Sequence, residues 1–96
     1  MRKAARVDVN QAEIVRALRG AGATVVSLAA VGKGVPDLMV GFRRRTHLIE
    51  VKAPAGPRGG KAGRHLTADQ VVFHKAWDGE KIHVVDSVKG ALNVIK

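Results

Sequence analysis

The spacing of apolar residues changes repeatedly along this chain, and each change marks an element. From residue 10 to 20, Ile14, Val15 and Leu18 recur at helical spacing while Arg16 and Arg19 fall on the other side, which predicts a helix with one buried face. Asn10 is a suitable N-cap with Glu13 three residues on, Val9 can staple to Ile14, and Gly20 or Gly22 ends the helix. Residues 24–31, Thr-Val-Val-Ser-Leu-Ala-Ala-Val, form a β-rich run that predicts a first strand, and Gly32-Lys33-Gly34 is a turn. Two more β-type runs follow at 37–42 and 45–52, separated by Arg43-Arg44. In the next helix Thr67 caps, Gln70 occupies the third helical position, and Leu66 staples to Val71. That helix is expected to run to about Asp78, to bury Val72, Phe73 and Trp77 in part, and to stop at Gly79. Lys81 to Asp86 predicts a fourth strand, and Ser87 caps a last helix with Ala91, Leu92 and Ile95 inward.

The expected order is αβββαβα. Leu38, Val40, Phe42, Ile49 and Val51 alternate onto one face of the middle strands, Met39 and Leu48 onto the other. A sheet apolar on both faces wants helices on both sides. The predicted class is α/β, a mixed four-stranded sheet flanked by helices.

The hairpin also carries the candidate chemistry. With a two-residue turn at Arg43-Arg44, Phe42 pairs with Arg45, Met39 with Leu48, and Asp37 with Glu50. Opposed side chains on one face have Cβ atoms about 5 Å apart. Two carboxylates at that distance repel unless a cation lies between them, and a hard divalent ion with oxygen ligands is the natural one. Glu50 and Lys52 share a face, roughly 7 Å apart along the strand. Two carboxylates and a lysine so placed suggest a metal-dependent site that cleaves a phosphodiester. Arg-Arg is poor chemistry for a two-residue primed turn. A longer loop at 43–45 or a bulge at Gly41 would shift the register by one, pair Asp37 with Val51 and leave Glu50 diagonal.

Composition narrows the partners. The chain has 96 residues, one domain's worth, and a formal charge of +9 from 17 Lys and Arg against 8 Asp and Glu. Such a charge points to a polyanion, nucleic acid before membrane. Glu13, Asp37 and Glu50 are three of those few acids; carboxylates beside a polyanion surface weaken binding, and a metal role would account for them. Cysteine is absent, which excludes disulfides and Cys-based zinc sites. No apolar run approaches membrane-spanning length, and the basic N-terminus lacks the apolar core of a secretory signal. We expect an intracellular, cytoplasmic protein that uses no nucleotide cofactor, since Gly32-Lys33-Gly34 is not a P-loop. Residues 1–8 read as a basic arm, and 53–65 as a flexible basic loop rich in Gly and Pro. Arg58, Lys61, Arg64 and His65 in that loop, with Arg43, Arg44 and Arg45 at the hairpin tip, are the candidate DNA-backbone contacts. Arg6, Arg16, Arg19 and Lys33 could extend the track. Trp77 and Phe73 read as core, and the four histidines show no metal-ligand spacing.

Pro36-Asp37, twelve intervening residues, then Glu50-Val51-Lys52 resembles the catalytic signature of the PD-(D/E)XK nuclease superfamily. With the Glu13 helix, Gly34-Val35-Pro36-Asp37-Leu38 and Gln70 early in the helix after the hairpin, residues 8–92 resemble the VRR-NUC family in its stand-alone phage or prophage form. The resemblance implies a restriction-endonuclease-like αβββαβ core. It implies Asp37, Glu50, the Val51 carbonyl and Glu13 as ligands of Mg²⁺ or Mn²⁺. Lys52 would position or activate the attacking water, and Gln70 would buttress the lysine and the scissile phosphate. It further implies a homodimer acting on branched DNA, especially four-way junctions, in a bacterial cell. Each role has a plainer alternative: Glu13 completing a capping box with Asn10, Gln70 one with Thr67, Asp37 serving a turn, Lys52 solvated at a strand end. A nicking or restriction-type nuclease on duplex DNA, and a non-catalytic DNA-binding module of a repair complex, are the rival functions.

Overall fold

The computed structural model describes residues 10–54 and 65–96. The basic arm, with Arg6 and Val9, and most of the 53–65 loop, with Arg58, Lys61 and Arg64, lie outside the described residues. The elements are α1 (Gln11–Gly20), β1 (Thr24–Ser27), β2 (Leu38–Phe42), β3 (Arg45–Val51), α2 (Ala68–Ala76), β4 (His83–Val85) and α3 (Val88–Ile95). This is an α/β fold in the expected order. The four strands form one sheet in the order β1-β2-β3-β4, antiparallel at the first two pairings and parallel at the third.

The hairpin closes through two residues. Phe42 pairs with Arg45 and Met39 with Leu48, while Arg43 and Arg44 both take positive φ, 52° and 65°. That is the left-handed pair a primed two-residue turn requires, here adopted by residues with side chains rather than Asn-Gly. The neighbouring strand pairings outweigh the local cost, so neither the bulge nor the longer loop is used.

One face of the sheet carries the core. Leu38, Val40, Ile49 and Val51 are buried there against Ile14 and Leu18 of α1 and Ala91 and Ile95 of α3. Ser87 caps α3 by accepting the Gly90 N–H. The other face, by the same register, bears Val26, Met39, Leu48, Glu50 and Val84. Its covering differs from the expectation. α2 ends at Ala76 and buries none of its residues; Val72 and Trp77 are exposed and Phe73 is only half-buried. Val26, Met39 and Val84 remain exposed beside it. Of Val72, Phe73 and Trp77 only Phe73 is partly covered, and the side-chain hydrogen bonds that tie α2 to the sheet are those of Gln70.

Two strand boundaries move, and one cap is not made. β1 stops at Ser27, because Leu28 turns to give its N–H to the Asp37 carbonyl and Val31 gives its own to Leu28. β4 is limited to His83–Val85, the length that pairs with β3. Asn10 stands at the start of α1, but its side chain makes no cap bond. No helix among the described residues is long and apolar enough to cross a membrane.

Candidate active site

Glu50 lies in the last part of β3 and Lys52 immediately after it, on the face away from the core. Glu50 is 1 % exposed and Lys52 8 %. An ionisable pair is rarely buried to that extent without partners. Gln70, one turn into α2, supplies them. Its Oε1 accepts from Lys52 Nζ at 2.7 Å, and its Nε2 donates to Glu50 Oε2 at 2.9 Å. The same Oε1 accepts the Thr67 N–H at 2.8 Å, while Thr67 Oγ1 accepts the Gln70 N–H at 3.2 Å. The capping box and the bridge to the sheet are therefore one arrangement. An amide serves both because its oxygen faces two donors and its nitrogen an acceptor.

Asp37 sits half-buried just ahead of β2. Extending the observed pairing Leu38↔Ile49 by one step sets Asp37 opposite Glu50. Its Oδ2 accepts the Val51 N–H at 2.8 Å, which turns the carboxylate toward β3. Pro36 is fully buried and fixes the approach of the chain. Further back, Gly34 (φ +82°) passes so close to α2 that an added Cβ would lie 2.2 Å from the Asp69 carbonyl oxygen. The Asp37 loop and the Gln70 turn are thus packed backbone to backbone.

The Lys52 backbone is held on both sides. Its N–H donates to the Val85 carbonyl at 2.8 Å. Its carbonyl accepts from Asn10 Nδ2 at 3.1 Å, and the same amide nitrogen donates to the Asp86 carbonyl at 3.0 Å. Asn10 clasps the ends of β3 and β4 instead of capping α1. No local pattern could have shown this, since the partners lie 42 and 76 positions away. Gln11 beside it is also buried, and its Oε1 makes no hydrogen bond.

His74 also faces this end of the sheet. One turn after Gln70, it has an enclosed Nε2 without a hydrogen-bond partner. Burial, and after it the Lys52 charge, lowers its pKa below the ordinary histidine value. The i, i+4 spacing from Gln70 was the available signal.

The structure brings together Asp37, Glu50, Val51, Lys52 and Gln70. It leaves Glu13 exposed on α1, and among the described residues no group of three or more Asp, Glu, His or Cys side chains could hold a metal ion. The donor set is therefore two carboxylates and a backbone carbonyl. That fits Mg²⁺ or Mn²⁺, which take one or two carboxylates and complete the shell with water and phosphate. Among the proposed DNA contacts, Arg44, Arg45 and His65 are exposed, and Arg43 lies over the Phe42 ring at 5.2 Å. Arg19 donates to the Val25 carbonyl and so supports α1 against β1. Comparison with protein-family models and with curated proteins finds no match to this chain.

Proposed function

We propose that the chain is a Mg²⁺- or Mn²⁺-dependent endodeoxyribonuclease of the VRR-NUC type that cleaves structured DNA, four-way junctions among them, as a homodimer in the bacterial cytoplasm. The observation that carries the reading is the Gln70 bridge between a buried carboxylate and a buried ammonium, with Asp37 oriented on the next backbone N–H. Asp37, Glu50 and the Val51 carbonyl would hold the ion, which supplies Lewis acidity toward a phosphoryl oxygen. Lys52, a compact charge with its backbone pinned, stabilises the charge that builds on the phosphate. Gln70 keeps that ammonium aimed and prevents it from collapsing onto Glu50. The +9 chain supplies affinity with little sequence preference, so selection would be by DNA shape. Val26, Met39 and Val84, exposed on the face that bears the site, support a partner subunit, and paired cuts need paired sites.

The test is cleavage of linear duplex, a nicked duplex and a four-way junction at equal salt with Mn²⁺, by the wild type, Asp37→Asn and Lys52→Ala. Junction cleavage that both variants lose is the expected result. Cleavage that survives Asp37→Asn would refute the assignment. Equal cutting of linear duplex would favour the restriction-type reading, and binding without cleavage the non-catalytic module.

A further inference from the structure

The arginine triplet does not act as one patch. Arg43 is taken up by Phe42, whereas Arg44 and Arg45 line a cleft of about 380 Å³ at the other end of β3 from Glu50. Across the cleft stand Trp77 and Lys81, from the segment that leads into β4. His47 and His83 line it too, edge to face with ring centroids 6.3 Å apart. Local contacts hold the Trp77 wall. Its Nε1 donates to the Glu80 carbonyl at 3.0 Å, Phe73 stacks on the indole at 5.7 Å, and Gly79 approaches so closely that a Cβ would lie 2.7 Å from the ring.

Three of the charged side chains on the lining are cationic, Arg44, Arg45 and Lys81, and one, Glu80, is anionic. The imidazoles add N–H donors. Burial first, and after it the Lys81 and His47 charges, lowers the His83 pKa below the ordinary histidine value, and Glu80 opposes them. An anion placed here would relieve that repulsion.

We propose that this cleft is a second nucleic-acid subsite, which holds a backbone phosphate of the DNA strand away from the carboxylate cluster. The proposal rests on DNA being the ligand but not on hydrolysis. Arg45 precedes Glu50 by five residues on β3, about 17 Å at 3.3 Å per residue. A few nucleotides of a flexible single strand span that distance; because Arg45 and Glu50 leave opposite faces of β3, the strand would pass around the edge of β3 that lies beyond its three residues paired with β4. Trp77 forms one wall, and Arg44, Arg45 and Lys81 provide the charge.

Trp77 is the one tryptophan of the chain, so its fluorescence reports on the cleft directly. The experiment titrates the intact protein with single-stranded oligothymidylate and, separately, with inorganic phosphate, in EDTA so that nothing is cut. Labelled-strand anisotropy gives the salt dependence for wild type, Lys81→Ala, Arg45→Ala and the exposed α3 control Lys89→Ala. Circular dichroism verifies that each variant is folded. The expected result is a Trp77 signal with the oligonucleotide at concentrations where phosphate alone gives none. The salt slope should be shallower by about 0.7 for Lys81→Ala and Arg45→Ala, with Lys89→Ala closer to wild type. Equal slopes for Lys81→Ala and Lys89→Ala would overturn the proposal in favour of diffuse attraction. A full signal with inorganic phosphate would overturn it in favour of a free-anion site. Cleavage assayed beside this with Mn²⁺ separates the two readings. A cleft-dependent slope without cleavage refutes the nuclease and leaves the cleft, and cleavage with equal slopes does the reverse.

Discussion

Replacing Gln70 with leucine tests whether the bridge holds α2 in place. The substitution removes the acceptor of Lys52 Nζ, the donor to Glu50 Oε2 and the acceptor of the Thr67 N–H. α2 contributes no residue to the core, so little apolar burial resists its opening. A hydrogen bond to a charged group contributes about 1.5–3 kcal/mol net. Gln70 is only half-buried and water can replace part of what is lost, so the low end applies to each of the two charged bonds. The expected cost is about 3 kcal/mol on the docking of α2, which corresponds to roughly hundredfold faster exchange of its amides. Hydrogen exchange read residue by residue is the assay. The amides of Val71 to Ala76 should accelerate, while those of Val40 and Ile49 in the central strands hold. Thr67→Ala, which removes the cap oxygen but leaves the Gln70 bridge, should accelerate the same amides by about tenfold. If Gln70→Leu exchanged no faster than Thr67→Ala, the cap alone would hold the helix and the bridge to the sheet would be incidental.

The other predictions concern backbone, charge and pH. Gly34→Ala should lower the melting temperature by several degrees and loosen α2, because its Cβ would press on the Asp69 carbonyl; Gly32→Ala, also at positive φ but in open space, should cost only about 1 kcal/mol. Arg43-Arg44→Asn-Gly should raise the urea midpoint, since the left-handed conformation costs about 1–2 kcal/mol per ordinary residue. His74 and His83 have folded-state pKa values below the ordinary 6.5, so the unfolded chain takes up protons first. Their contribution is present at neutral pH and is lost as pH falls from about 6.5 through the folded values. His83→Gln should flatten that loss in urea titrations across this range. Glu50→Leu with Lys52→Met should unfold no more easily than wild type while losing cleavage, whereas Glu50→Leu alone, which strips Gln70 Nε2 of its acceptor and leaves the Lys52 ammonium enclosed, should be destabilised by about 1.5–3 kcal/mol.

The element order and the hairpin register were legible because they rest on period-two alternation, which a one-residue slip would invert. Asp37, Glu50 and Lys52 were legible for the same reason, as residues at fixed offsets along two paired strands. The position of the two-residue turn was legible from the same pairing, but its conformation was not: Arg-Arg argues against the primed geometry that Arg43 and Arg44 adopt. Its reason lies in the strands on either side. α2 misled in the opposite way. Val72, Phe73 and Trp77 look like an inward stripe, but Trp77 is held by Phe73, Gly79 and the Glu80 carbonyl outside the core. Asn10 and the His47–His83 pair were invisible because their meaning depends on residues brought together only by the β3–β4 pairing.

Local consistency fails most on the face that carries Glu50 and Lys52, and that failure is informative. A chain selected for stability alone would place apolar residues at two positions so thoroughly enclosed, because buried charges, even hydrogen-bonded ones, gain little over packed hydrophobic side chains once desolvation is counted. Here the enclosed positions are charged while Val26, Met39 and Val84 on the same face stay in water. The helix above is then docked by an amide rather than by a leucine. Each of these choices weakens the fold, and they coincide at one end of one strand. Sites under chemical selection are where such departures concentrate. The pinned Lys52 backbone beneath a polar, separable α2 is the division of stiffness that a site admitting a phosphodiester would need: fixed charges below, an element able to yield above.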